Sequence, residues 1–194
     1  MAVRVIAGHA HGRRLRVPRG ATRPTSGLVR GALFNMLEHR GLIADAMLLD
    51  LFAGSGALGI EALSRGARTV VFVDTSPRAA RTIRQNATAS GYRGRVEVVE
   101  ADAARAVRTL GRRGARFDGV IVDPPYGRAF VQRTLDAIAA AGVVVPGGWI
   151  AVEHRRDEVP VAPDGFEVVA ERRHGASVLM LLRRPEQSRE EVPS

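Results

Sequence analysis

Five short apolar runs, at residues 46–52, 69–73, 96–99, 117–122 and 148–152, alternate along this chain with helical stretches near 57–65, 77–90, 103–111 and 129–141. Strands joined through helices can share one sheet only if they run parallel, because a parallel pair needs a crossover of a dozen or more residues. Runs that are apolar at nearly every position also need cover on both faces. The expectation is therefore an α/β fold with a mostly parallel, doubly wound, Rossmann-like sheet. Two further runs, 166–171 and 177–183, have no helix between them and read as a C-terminal antiparallel hairpin. Pro77 suits the first turn of its helix, with Thr75 or Ser76 as the cap, and Gly142 suits a C-terminal stop.

Ahead of this pattern, residues 2–8 and 12–17 are β-like and joined by a turn containing Gly8 and Gly12, which predicts a small hairpin. Residues 18–25 read as loop. Ser26 can cap a helix whose apolar positions Val29, Leu33, Met36 and Leu37 share one face, ending before Gly41. The division expected is a basic hairpin-and-helix extension at 1–40, a catalytic domain at 41–184 and a polar, disordered tail at 185–194.

Charge is unevenly spread. The formal charge is +9, and every basic residue is arginine, as a GC-rich codon bias would produce. Residues 1–40 hold eight arginines against the single acid Glu38, whereas the remaining 154 residues hold 21 arginines and 19 acids. An excess gathered into one fifth of the chain is the pattern expected where a polyanion is met. The absence of cysteine excludes a disulfide, a cysteine zinc site and a cysteine nucleophile. No apolar run approaches the roughly 18 residues of a membrane span, and the N-terminus has no signal-like apolar stretch, so the chain reads as cytoplasmic.

The first core strand runs into Gly54, Gly56 and Gly59, a G-x-G-x-x-G that opens a helix. Such a turn lets a nucleotide-like cofactor approach the backbone, and alone it does not separate a dinucleotide from S-adenosylmethionine. Three acids at strand ends bear on the choice. Asp50, just before the glycines, could attract the methionine ammonium and would repel a pyrophosphate. Asp74 could accept the ribose hydroxyls of either cofactor, and Asp102 could meet an adenine amino group. A helix cap or loop acid is the ordinary use of Asp at such places. The cofactor set expected is Asp50, Phe52, Ala53, Gly54, Ser55, Gly56, Gly59, Asp74, Asp102 and Ala103.

The fourth strand ends in Asp123-Pro124-Pro125-Tyr126. Two prolines make a rigid extended turn at the carboxyl edge of the sheet, where ligands of such folds bind. The tetrapeptide resembles the [DNS]-P-P-[YFW] signature of amino-methyltransferases. Its residue types suit that chemistry: an exocyclic amine is a poor nucleophile, and acceptors at Asp123 and at the Pro124 carbonyl can hold both N–H bonds and turn the lone pair outward. Tyr126 would stack on an extruded base. Methylation at pyrimidine carbon 5 by the usual route needs a cysteine, which is absent.

Further motifs narrow the family. Arg4-Val5-Ile6-Ala7-Gly8 with Gly12-Arg13-Arg14-Leu15, Arg23-Pro24-Thr25-Ser26 leading into residues 29–37, the loop at 49–61 and the 123–126 turn together resemble the RsmD family of bacterial 16S rRNA guanine-N2 methyltransferases over about residues 3–183. That resemblance implies a class I S-adenosylmethionine-dependent fold and S-adenosylhomocysteine as coproduct. It implies a guanine(966)-N(2) type of reaction on 16S rRNA within the small ribosomal subunit or its assembly intermediate, carried out by a monomer without a metal. Where the family usually has an aromatic-Gly pair, this chain has Arg173-His174-Gly175. Arg4, Arg13, Arg14, Arg16, Arg23 and Arg30 are expected to neutralise phosphates, with Asn35 nearby. The residues themselves leave open a DNA adenine-N6 or protein glutamine-amide methyltransferase, a non-catalytic RNA chaperone, and, on the glycines alone, an NAD-dependent oxidoreductase. His9 and His11 lack a third metal ligand, and His154 reads as a surface or edge-strand residue.

Overall fold

The computed structural model describes residues 3–18, 26–125 and 130–186. Arg23 and Tyr126, and nearly all of the expected tail, lie outside those residues. The elements follow the expected order. A two-stranded antiparallel ribbon, β1 (Val3–Arg4) and β2 (Arg14–Leu15), precedes α1 (Gly27–His39). Then come β3 (Met47–Leu51), α2 (Ala57–Ser64), β4 (Thr69–Asp74), α3 (Pro77–Ala89), β5 (Val96–Glu100), α4 (Ala103–Arg112), β6 (Phe117–Val122), α5 (Phe130–Ala141), β7 (Val144–Arg155), β8 (Glu167–His174) and β9 (Ser177–Arg183). Ser26 caps α1 through its Oγ, which accepts the Val29 N–H at 3.2 Å, and Ser76 caps α3 in the same way.

The seven-stranded sheet has the order β5-β4-β3-β6-β7-β9-β8. The first five strands are parallel, and β9 enters antiparallel between β7 and β8. This is a Rossmann-like class I methyltransferase sheet with an antiparallel end. β3 sits at the centre of the five parallel strands, and the chain reverses its direction of travel across the sheet there, the place where such folds bind ligands.

Alternation along each strand divides the core in two. Leu48, Phe72 and Ile121 pack with α1, α2 and Ile83 of α3, whereas Leu49, Leu51, Val120 and Val122 pack with Val107 and Leu110 of α4 and Leu135 and Ile138 of α5. Val5 and Leu15 of the N-terminal ribbon, with Leu33, Phe34 and Leu37 of α1, join the first of these clusters. The described part of the expected 1–40 extension therefore shares the core of the main domain and is not a separate body.

Two differences from the sequence reading have local causes. The fifth run extends to twelve residues in β7, because residues 145–148, with Pro146, Gly147 and Gly148, bulge opposite Asp118 of β6 between the pairs Phe117–Val144 and Gly119–Trp149. His154 is not at a surface or edge. It lies in β7, flanked by β6 and β9, and only 4% of it is exposed.

Candidate active site

The carboxyl ends of β3, β4 and β6 bring the predicted acids together. Leu51 of β3 pairs with Val73 of β4 on one side and with Val122 of β6 on the other. Asp74 and Asp123 each stand one residue beyond those partners, so they flank Phe52, the residue after β3. Asp50 lies one step back on the central strand, fully buried. Burial pushes its carboxyl up to about 8; the N–H of Gly59 opposes this, and the charges of Asp123 and Asp74 add to the rise. The Asp74 and Asp123 charges make this sheet edge negative and suited to a ligand carrying a cation, and a cation seated there would favour the ionised form of Asp50 as well.

The glycine loop is held by two of these acids. Oδ2 of Asp50 accepts the Gly59 N–H at 3.0 Å, across the first turn of α2. Asp74 accepts the Gly54 N–H through Oδ2 and the Ser76 N–H through Oδ1, both at 2.8 Å. A carboxylate has about four acceptor positions, so Asp74 keeps capacity for hydroxyls while bracing the loop. Gly56 starts α2 with φ of 78°, a left-handed conformation that an L side chain rarely adopts. Gly59 serves packing: a Cβ there would lie 2.3 Å from the Phe72 ring and 2.8 Å from Val70. Phe52 also has a positive φ, 63°, and packs edge to face on Phe130 with centroids 6.0 Å apart. A non-glycine residue in this region stores of order 1–3 kcal/mol of strain, and here it turns the chain sharply out of the sheet toward Ala53 and Gly54.

The donor set fits S-adenosylmethionine. Oδ1 of Asp50 is buried without a hydrogen-bond partner among the described residues, an unused acceptor beside the loop. Asp102 caps α4, with Oδ1 accepting the Arg105 N–H at 3.1 Å, and it is exposed, so one oxygen remains open above the buried Ala103. Ser55 is buried, and its carbonyl accepts from Asn86 Nδ2 at 2.9 Å. On the far side of Phe52, Asp123 is half-buried, Pro124 buried and Pro125 exposed. The Asp-Pro-Pro turn thus begins next to the glycine loop, across Phe52, the residue that follows β3.

The predicted RNA residues divide. Arg4 is exposed and donates to the Gly12 carbonyl at 2.9 Å. Arg13 and Arg14 are exposed, and their side chains have no partner among the described residues. Arg16 is exposed and reaches Gln85 at 3.2 Å. Asn35, also exposed, accepts from Arg65 at 3.2 Å. Arg30 is a correction. Only 4% exposed, it donates to the Arg4 carbonyl and lies 3.9 Å from the Glu61 carboxylate, so it belongs to the framework and cannot meet a phosphate.

Glu61 and Asn86 carry more of the architecture than the sequence reading recognised. The fully buried Glu61 accepts the backbone N–H of Ile6 (2.7 Å) and Ala7 (3.1 Å) and the Nε of Arg65 (2.8 Å), which fastens the N-terminal ribbon to α2. Asn86 holds both the N–H and the carbonyl of Arg16 at 2.9 Å. Their partners in the ribbon lie 54 to 70 residues away, so no local pattern marks this role. Glu153 was missed as well. It is a buried carboxylate one step beyond Val152, the β6–β7 partner of Val122, and it accepts from Ser177 Oγ at 2.9 Å. Its place beside Asp123 across the strand ends could have been inferred from its following a core strand.

Comparisons with known proteins agree with this geometry. The family model described as Conserved hypothetical protein 95 matches residues 3–183. The Escherichia coli K12 protein named ribosomal RNA small subunit methyltransferase D is 33% identical over 187 residues, covering 95% of this chain and 91% of its own. The Bacillus subtilis protein YlbH is 38% identical over 160 residues, 81% of this chain and 86% of its own. Among solved structures, the Escherichia coli protein yhhF superposes with a TM-score of 0.84 at 32% identity, over 96% of this chain and all of its own. With that match running through the hairpin, the glycine loop and the β6 turn alike, the chain belongs to the RsmD family, the family of the ribosomal RNA small subunit methyltransferase D proteins.

Proposed function

We propose that this protein transfers a methyl group from S-adenosylmethionine to the exocyclic N2 of a guanine in 16S rRNA, of the guanine(966)-N(2) type, acting on the small ribosomal subunit or its assembly intermediate. The observation that carries the reading is the juxtaposition of Asp123-Pro124-Pro125 with the glycine loop across Phe52, in a family whose named relatives act on small-subunit rRNA. S-adenosylmethionine, when bound, supplies an electrophilic methyl on a sulfonium sulfur.

The protein's own groups do the rest. Asp50, Gly54, Gly56 and Gly59 would seat the cofactor's amino-acid end, Asp74 the ribose, and Asp102 with Ala103 the adenine. Asp123 and the Pro124 carbonyl accept the two N–H bonds of the guanine amine, so its lone pair is directed at the methyl group and the positive charge developing on nitrogen meets a carboxylate. The two prolines keep those acceptors from relaxing away. Tyr126 stacks on the extruded base, and the proton lost after transfer passes to solvent. Arg4, Arg13, Arg14, Arg16 and Arg23 neutralise phosphates at the entry side.

Small-subunit particles lacking the modification, incubated with the enzyme and methyl-labelled cofactor, should take up label at a single guanine, and nucleoside analysis should identify N2-methylguanosine. Label appearing only in DNA, in protein or on another atom would overturn the assignment.

A further inference from the structure

The excess positive charge of residues 1–40 does not act alone, because the fold carries it to a second set of arginines. A groove of about 680 Å³ runs between the ribbon and the β5 edge of the sheet; Val96 and Val98 form its floor and Arg16, Arg84 and Arg93 its walls. A hollow of about 480 Å³ bordered by His9, His11, Arg13 and Arg14 meets it at Ala89. No carboxylate lines either one. Glu97 is on the same strand as Val96 and Val98 but alternates to the opposite face of the sheet. Glu100 reaches Arg84 at 3.3 Å, a pair about half exposed on both sides. Exposed pairs of this kind contribute at most about 1 kcal/mol, so an arriving phosphate can replace it.

The walls are fixed in place. Asn86, 2% exposed, grips the backbone of Arg16 at both its N–H and its carbonyl, which sets the ribbon's basic edge against α3. Arg93 is exposed, and its side chain has no hydrogen bond or ion pair among the described residues. From the groove, α3 continues the charge. Its thirteen residues include Arg78, Arg81 and Arg84 on the exposed face and no acid. At 1.5 Å per residue Arg78 stands about 9 Å nearer the cofactor edge than Arg84.

We propose that this groove and the arginine face of α3 form a track for the sugar-phosphate backbone of RNA, which leads a looped strand from the N-terminal ribbon toward the carboxyl edge of the sheet. The assignment rests on the reading of RNA as substrate and adds Arg78, Arg81, Arg84 and Arg93 to its contacts. Arginines spaced along a wall, with apolar floor and no acid, suit a flexible chain of phosphates better than a single small anion.

The test uses the double variant Arg84→Gln/Arg93→Gln, both side chains being exposed. Its control is Arg105→Gln/Arg108→Gln, which removes the same charge from exposed positions of α4, on the other side of the sheet. The probe is a stem-loop fragment of small-subunit rRNA, with binding measured over a range of salt concentrations and cofactor affinity measured by calorimetry with S-adenosylhomocysteine. The groove variant should weaken RNA binding about tenfold and reduce the salt slope by about 1.4, at about 0.7 per lost phosphate contact. It should raise KM for the RNA and leave S-adenosylhomocysteine affinity as it is, whereas the α4 control binds like the parent. Equal losses in the two variants would reduce the effect to net charge and overturn the track, as would parental binding by the groove variant. Duplex DNA bound as tightly, with the same loss, would overturn the choice of RNA. If the groove variant shows the expected slope change while the parent places no methyl on guanine N2, the proposed reaction fails and the track stands.

Discussion

Replacing Asp50 by Asn tests the electrostatics of the site directly. The carboxyl is fully buried and titrates near 8 in the folded protein, raised by desolvation and by the Asp123 and Asp74 charges, against 3.8 in its ordinary state. Between those two values the folded protein holds this proton more tightly than the unfolded chain does, so the group's contribution to stability is complete below the lower value and is lost as pH rises toward the higher one. The stability of the cofactor-free parent should therefore fall with pH across this window relative to Asp50→Asn, which stays neutral. One proton of difference over the two units from pH 5 to pH 7 amounts to about 3 kcal/mol. Asparagine keeps an acceptor for the Gly59 N–H, and whatever its amide group costs in burial is the same at every pH, so the comparison of slopes isolates the ionisation. Urea unfolding of both proteins at several pH values measures it. The variant should also bind S-adenosylhomocysteine more weakly at pH 8, having lost the charge that faces the ammonium. Parallel stability curves would show that Asp50 does not titrate in this range and would refute the reasoning.

Gly59→Ala would press a methyl group into Phe72, and a destabilisation of about 1–3 kcal/mol with weakened cofactor binding is expected from denaturant unfolding and calorimetry. Glu61→Ala would leave the 4% exposed Arg30 without a carboxylate, would strip Arg65 of one of its two while it keeps Glu38 at 2.7 Å, and would free two backbone N–H groups, at a cost of about 3–5 kcal/mol. Limited proteolysis should then cut within residues 3–18 faster than in the parent. Asp123→Ala should lower methyl transfer by about 100-fold or more while calorimetry finds S-adenosylhomocysteine bound nearly as before; full activity would remove Asp123 from the reaction.

The glycine spacing, the acids at successive strand ends and the Asp-Pro-Pro turn could be read without coordinates because each depends on neighbours within a few residues. The left-handed turn at Gly56, the caps at Ser26 and Ser76, and the alternation that sends Leu48 and Leu49 to opposite faces are likewise local. Asp102 showed where such reading loses resolution, since a helix cap and a cofactor contact have the same signature and the structure displays the cap. The extension of β7 through a proline and two glycines is not marked locally, because breaker residues are tolerated in a strand where they bulge out of the pairing with its neighbour.

Order, type and direction of the elements thus follow from hydrophobic period and breaker residues, and the sheet edge that must hold the chemistry follows with them. Which polar groups are buried does not, because burial depends on segments that meet from far apart in the chain. Arg30 looked like its exposed neighbours in a basic stretch, but α1 turns it inward to the Arg4 carbonyl and to Glu61, 31 residues further on. His154 ended an apolar run and became interior only because β9 entered beside it. The groove joining Arg13, Arg14 and Arg16 to Arg84 and Arg93 likewise exists because Glu61 fastens the ribbon to α2 and Asn86 holds Arg16 against α3. Charge counted along the chain located one basic segment; packing decided which of its arginines face solvent and which others stand beside them.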